Sequence, residues 1–258
     1  MFGLEIVCLL TFLGATLSAW LIARAAPVKP SKEALIFQGL AESLSFDFFP
    51  DARALSKLTP QVGVGYFLAL RQRSEANRAF LKPFYGLYPY SSPQGCRAQN
   101  IVSGTEDEID WTVFEFLHDA GENGTIKHFI FSARLPIDLP TVTLKPITWR
   151  RWIAEHLRPR NLEDEPLTFE EVYGMTSPDP EAAAGLLEFR LRNFLLRSPP
   201  SVWEVRGNLI LMVKSKVESP EELRESFELL REFVQRIPAR YFEKMPSSAH
   251  PERMLDEG

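Results

Sequence analysis

The hydrophobic pattern opens with an unbroken apolar run. Ile6 to Ala23 (IVCLLTFLGATLSAWLIA) holds no charged side chain. As a helix these eighteen residues rise about 27 Å, and Phe2 to Leu4 extend the run toward the ~30 Å hydrocarbon core of a bilayer. A lone segment in lipid must satisfy its own backbone hydrogen bonds, which predicts a transmembrane helix within residues 1–27 and bilayer contact through residues 2–23. Met1 to Glu5 lacks the Lys or Arg of a signal-peptide n-region, whereas Arg24, Lys29 and Lys32 follow the span. Positive charge on that flank predicts a single-pass protein with its C-terminal part in the cytoplasm. Ala23, Ala25 and Ala26 offer a small-residue cleavage site, so an exported soluble domain is the alternative. Gly14 and Ser18, and Ala15 and Ala19, lie four apart and form a candidate helix dimerisation face.

Beyond the span, the pattern predicts a juxtamembrane amphipathic helix within residues 28–50. Ser31 is its candidate N-cap, and Leu35, Ile36, Leu40 and Leu44 form its apolar stripe. Asp51 to Lys82 reads as helical in pieces, interrupted by Pro60, Gly63 and Gly65. The periodicity then changes from helical to alternating. Strands are predicted at Arg97 to Val102, ending at Gly104, and at Ile109 to His118. Another is predicted at Thr125 to Leu135, after a turn at Gly121 to Gly124. Pro136 and Pro140 bracket a connection to a short strand at Thr141 to Leu144. Leu167 to Met175 reads as a strand, and Glu181 to Arg197 as a helix capped by Ser177 or Asp179. Val202 to Arg206 and Leu209 to Val217 read as strands joined at a Gly207-Asn208 hairpin turn. Ser219-Pro-Glu-Glu222 opens a final helix with Leu223, Phe227, Leu230, Val234 and Ile237 on one face, stopped by Pro238. The whole predicts an α+β fold: one N-terminal transmembrane helix, then a single mixed antiparallel-sheet and helix domain over residues 51–244, and a disordered tail at 245–258.

Composition narrows the function classes. Hydrophobic residues at 45% and charged residues at 24% of 258 exclude a largely disordered chain. A net charge of −5 argues against a general nucleic-acid binder. Two cysteines, Cys8 in the span and Cys96 far from it, build no disulfide framework.

The segment order resembles an uncharacterised bacterial family of membrane-anchored proteins, a domain of unknown function. The resemblance rests on Asn100-Ile-Val-Ser-Gly104, Trp111-Thr-Val-Phe-Glu-Phe116, and Leu135 to Leu144. It continues through Phe169-Glu-Glu-Val-Tyr173, Ser177-Pro-Asp-Pro-Glu-Ala182 and Glu204-Val-Arg-Gly-Asn-Leu209. It spans roughly residues 95–237, and residues 51–90 fall outside it. It implies a membrane anchor and carries no catalytic residue.

Candidate chemistry is sparse. Of four histidines, His118 and His128 flank the hairpin turn, while His156 and His250 stand apart. With Glu115 or Asp119 they suggest a metal site, although the spacing matches no ligand motif. Cys96 with His118 suggests a nucleophile pair, and the plain reading is a small buried thiol. No Gly-x-Ser-x-Gly elbow is present. Lys145, Arg150, Arg151, Arg158 and Arg160, interleaved with Trp149 and Trp152, form a candidate membrane-surface segment. The acidic run Glu163, Asp164, Glu165, Glu170 and Glu171 follows, and pairing between the two runs is the alternative. The sequence therefore points to a non-enzymatic cytosolic domain that binds a protein partner or the membrane surface, with no cofactor. An enzyme with a site around Cys96, His118 and His128 is the competing reading.

Overall fold

Three long strands from one stretch of chain carry the architecture. A computed structural model describes residues 31–51, 75–89, 96–119, 124–147 and 168–243. The described residues from Ala34 onward belong to one compact unit. Strands β2 (Cys96–Glu106), β3 (Ile109–Asp119) and β4 (Thr125–Pro146) pair antiparallel in sequence order. Strand β1 (Asp47–Asp51) adds to β2, and β5 (Tyr173–Thr176) adds to the end of β4. Strand β6 (Val202–Lys214) lies along the other side of β4. The chain is thus α+β with an antiparallel sheet.

Helices cover one face of the sheet. They are α1 (Lys32–Leu44), α2 (Phe169–Val172), α3 (Pro180–Leu186), α4 (Phe189–Arg197) and α5 (Pro220–Gln235). Phe37, Leu191, Phe227 and Leu230 pack there on Trp111, Phe131, Trp203 and Met212. Burying a large apolar side chain is worth about 1.5–3 kcal/mol. Leu223, Phe227, Leu230, Phe233 and Val234 of α5 are all buried. Their sum far exceeds the ~1 kcal/mol of the Ser219 cap, so packing holds this helix and the cap sets where it starts.

The second face is covered by residues 75–89. A helix over 75–81 leads into a 3₁₀ turn at Lys82–Phe84, and Leu81, Phe84 and Leu87 pack on Ile101, Phe114, Ile130 and Leu211. Asn77 completes the edge of β2 where β1 has ended. Its Oδ1 accepts from the Ala98 N–H (2.8 Å) and its Nδ2 donates to the Cys96 carbonyl (2.8 Å), so one amide side chain stands in for a neighbouring strand.

Several sequence expectations change. Gly104 does not end its strand. It lies within β2, under the ring of Phe46, and a Cβ there would come within 3.0 Å of three Phe46 ring carbons. The expected apolar stripe of α1 is rotated: Ala34, Phe37, Leu40 and Ala41 are buried, and Leu35 is exposed. The β2–β3 turn is made by Asp107 and Glu108, both left-handed (φ 52° and 62°), without the glycine usual for that geometry.

The connection expected at Pro136–Pro140 is strand. These prolines sit where the β4–β6 register shifts, between Arg134 and Leu139 and again between Leu139 and Val142. Pairing with β3 has already stopped at Arg134 and neither proline is a paired position opposite β6, so no ladder bond needs their missing N–H. Gly207-Asn208 likewise continues β6 instead of turning it. Gly207 (φ 54°) lies opposite Leu139 and absorbs the mismatch as a bulge.

The strand expected at Leu167–Met175 begins as the helical turn α2. The Thr168 N–H and hydroxyl both donate to Glu171 Oε2 (2.7 and 3.0 Å), closing a capping box, and only Tyr173–Thr176 is extended. The helix expected over 181–197 is two, α3 and α4. The chain leaves helical geometry at Leu187 and Glu188, which buries both Leu186 and Leu187. The expected disordered tail falls on residues outside those described.

Candidate functional site

The pleat decides which of the candidate residues meet. Cys96 lies directly opposite His118, and Phe116 lies opposite His128. All four therefore share the second face, with the two histidines on a cross-strand diagonal about 7–8 Å apart. The Phe116 ring stacks on His118 (6.4 Å, 13°) and tilts against His128 (6.5 Å, 30°). Tyr88 meets His128 edge-on at 6.0 Å. His118 Nδ1 is enclosed without a hydrogen-bond partner.

Burial lowers the basicity of His128, and the charge of His118 lowers it further. Burial pushes the Cys96 thiol up. A nucleophilic cysteine needs its thiolate, and this environment opposes it. Among the described residues no three His, Cys, Asp or Glu side chains are placed to hold a metal ion. Glu115, one of the candidate ligands, points to the opposite face from the histidines. There it is fully buried and accepts from Gln99 Nε2 (2.8 Å), Asn100 Nδ2 (2.8 Å) and Lys127 Nζ (3.3 Å). Asp119 is exposed at the strand end.

Lys145 of the candidate membrane-surface segment sits over the Tyr88 ring, 5.1 Å from its centroid. The Tyr88 N–H donates to Glu204 Oε2 (2.6 Å), and Arg206 donates to the Tyr85 and Gly86 carbonyls (3.4 and 3.0 Å). Two β6 side chains thus grip the main chain of residues 85–88. Glu204 is buried, which pushes its carboxyl up. The Tyr88 N–H and the charges of Arg206 and Lys145 pull it back.

Trp149, Arg150, Arg151, Trp152, Arg158 and Arg160 lie outside the described residues, as do residues 2–23 with Gly14, Ala15, Ser18 and Ala19. No helix among the described residues is long and apolar enough to cross a membrane. Of the acidic run, Glu170 and Glu171 are described, whereas Glu163, Asp164 and Glu165 lie outside the described residues. Glu170 pairs with Arg192 (3.1 Å) and Glu171 closes its own capping box.

Among the described residues, two recesses open on the second face. One, of about 420 Å³, lies between Tyr88, His128, Ser201, Lys214 and Glu222. Both of its lysines are matched: Lys214 Nζ lies 3.8 Å from Glu222, and Lys216 pairs with Glu218. The other, of about 430 Å³, lies beyond the Phe84 end of the covering segment, toward the β2–β3 turn. Its floor follows the sheet register: Asp47, Ser103, Thr112 and Ser132 form one cross-strand row, and Thr105, Asp110 and Arg134 form the next. Sequence reading missed this groove. Its signal was the alternation Ser103-x-Thr105, Asp110-x-Thr112 and Ser132-x-Arg134, which becomes one polar patch only when the strands are laid in register.

No family model matches the chain, and no curated protein matches it. Among solved structures it is similar to the crystal structure of the mycobacterial trehalose monomycolate transport factor A, TtfA. The identity is 12% and the TM-score 0.45, over 80% of this chain and 96% of that one.

Proposed function

We propose that this chain is a single-pass membrane protein, anchored through residues 2–23, whose cytoplasmic α+β domain is a non-enzymatic binding module. This reading agrees with the resemblance to a membrane-anchored family. One observation carries the non-enzymatic part. The side chains best suited to covalent or acid–base work, Cys96, His118 and His128, share one face, but the histidines are packed against the Phe116 and Tyr88 rings and burial pushes the thiol up. The juxtaposition of Cys96 and His118 is what favours the enzyme reading.

Alkylation separates the two. In full-length protein with Cys8→Ala, iodoacetamide should modify Cys96 slowly, with a pH midpoint above that of a free thiol and no response to His118→Asn. A midpoint near neutrality that moves with His118→Asn would establish an activated nucleophile and overturn the proposal.

A further inference from the structure

We propose that the polar groove on the second face is a binding site for a small zwitterion, a compound carrying an ammonium group and a carboxylate or phosphate on one frame. The inference is independent of the membrane anchor and of the Cys96 row.

The charges in the groove are laid out but not joined. Asp110 and Arg134 lie directly opposite on β3 and β4, so their Cβ atoms are about 5 Å apart. They nevertheless form no ion pair. The Asp110 carboxylate instead turns toward β2 and accepts from Thr105 Oγ1 (2.8 Å). Arg134 is exposed and, among the described residues, has no ion-pair partner. The guanidinium fork is therefore available to a carboxylate or phosphate in bidentate geometry. Asp47, at the β1 end, is likewise exposed and unpaired among the described residues. Negative charge thus gathers on the β1–β3 side and positive charge on the β4 side. A lone anion would meet two carboxylates, and a lone cation would meet the arginine. A molecule bearing both charges satisfies both ends.

The floor between these ends suits hydrogen bonding without reaction. Ser132 is only 3% exposed and donates to the Thr112 carbonyl (3.2 Å), so its hydroxyl proton is already committed. The Ser103 and Thr112 hydroxyls lie 3.3 Å apart and bond to each other. Among the described residues no histidine lines this recess, so no described imidazole stands beside its hydroxyls. Phe49, Phe84 and Leu209 form an apolar wall for the ligand's carbon frame.

Calorimetry on the full-length protein tests the proposal with Gly-Leu and O-phosphoethanolamine as zwitterions of the two anion types. N-acetyl-Gly-Leu supplies the anion alone, and Gly-Leu amide the cation alone. At least one zwitterion should bind, and whichever binds names the anion chemistry. Each single-charge control should bind at least about tenfold more weakly than the dipeptide if the carboxylate arm binds. Arg134→Gln should weaken the bound zwitterion by about tenfold or more and Arg134→Lys by less, since Lys keeps the charge but not the fork. Asp110→Asn should weaken it similarly. Both positions are exposed, so thermal midpoints should hold and a folding defect would be seen separately. Absence of binding by both zwitterions up to about 10 mM, equal binding by a single-charge control, or indifference to Arg134→Gln would each overturn it.

Discussion

Gly104→Ala should destabilise the protein, and the size of the loss follows from one ring. Helix α1 ends in a Schellman arrangement. Ser45 is left-handed (φ 57°), its N–H donates to the Glu42 carbonyl (3.3 Å), and the Phe46 N–H reaches back to the Ala41 carbonyl (2.9 Å). That turn aims Phe46 across β2, where it covers Gly104 and meets Phe227 edge-on at 6.1 Å. An added methyl would force the ring from inside 3.0 Å to at least 3.4 Å, and the ring cannot retreat without loosening its contact with Phe227. Overpacking of this kind costs about 1–3 kcal/mol, and the lost aromatic pair adds about 0.5–1.5. The stiffer unfolded chain returns about 0.4–1 kcal/mol. The net expectation is a loss of about 0.5–4 kcal/mol, centred near 2, read from urea unfolding of the full-length protein. The cycle with Phe46→Ala isolates the cause. With the ring gone, Gly104→Ala should cost less than about 0.5 kcal/mol. Equal losses with and without the Phe46 ring would refute the argument.

Other expectations follow the same contacts. Phe227→Ala, in the centre of the helical layer, should cost about 3–5 kcal/mol in the same unfolding experiment. Ser45→Gly should gain up to about 1 kcal/mol by removing a side chain from a left-handed position. Glu204 has a raised carboxyl pKa, so its contribution is most favourable below the unfolded-state value and is lost as pH rises through the folded one. Glu204→Gln should therefore be more stable than wild type at neutral pH, and the difference should vanish in acid. His128 works the other way. Its lowered pKa favours the neutral folded form, so stability present above the unfolded value is lost as pH falls through the folded one. Thermal midpoints across that range should decline less for His128→Asn than for wild type.

The strands were legible where composition and alternation agreed. Ile109 to His118 and the strand that begins at Thr125 lie where aromatic and β-branched residues place them. The final helix is also where its Ser219 and Pro220 signals put it. The misreadings share a cause. Gly104, Pro136, Pro140 and Gly207 punctuate an isolated chain, but in the sheet each finds a neighbour that accommodates it: a covering ring, a bulge, or an edge without a partner. Such accommodation is tertiary and leaves no local trace. The candidate residues split in the same way. Sequence spacing brought His118 and His128 together, but the pleat sent Glu115 to the other side, and only cross-strand register gathers Ser103, Asp110, Thr112, Ser132 and Arg134 into one groove.

The central claim is that a folded binding domain is held at the inner face of a membrane by residues 2–23. Protease treatment of intact cells expressing the full-length chain with a C-terminal tag tests it directly. The tag should sediment with membranes and survive until the cells are opened. A tag that is digested on intact cells, or that remains in the soluble fraction after lysis, would contradict it.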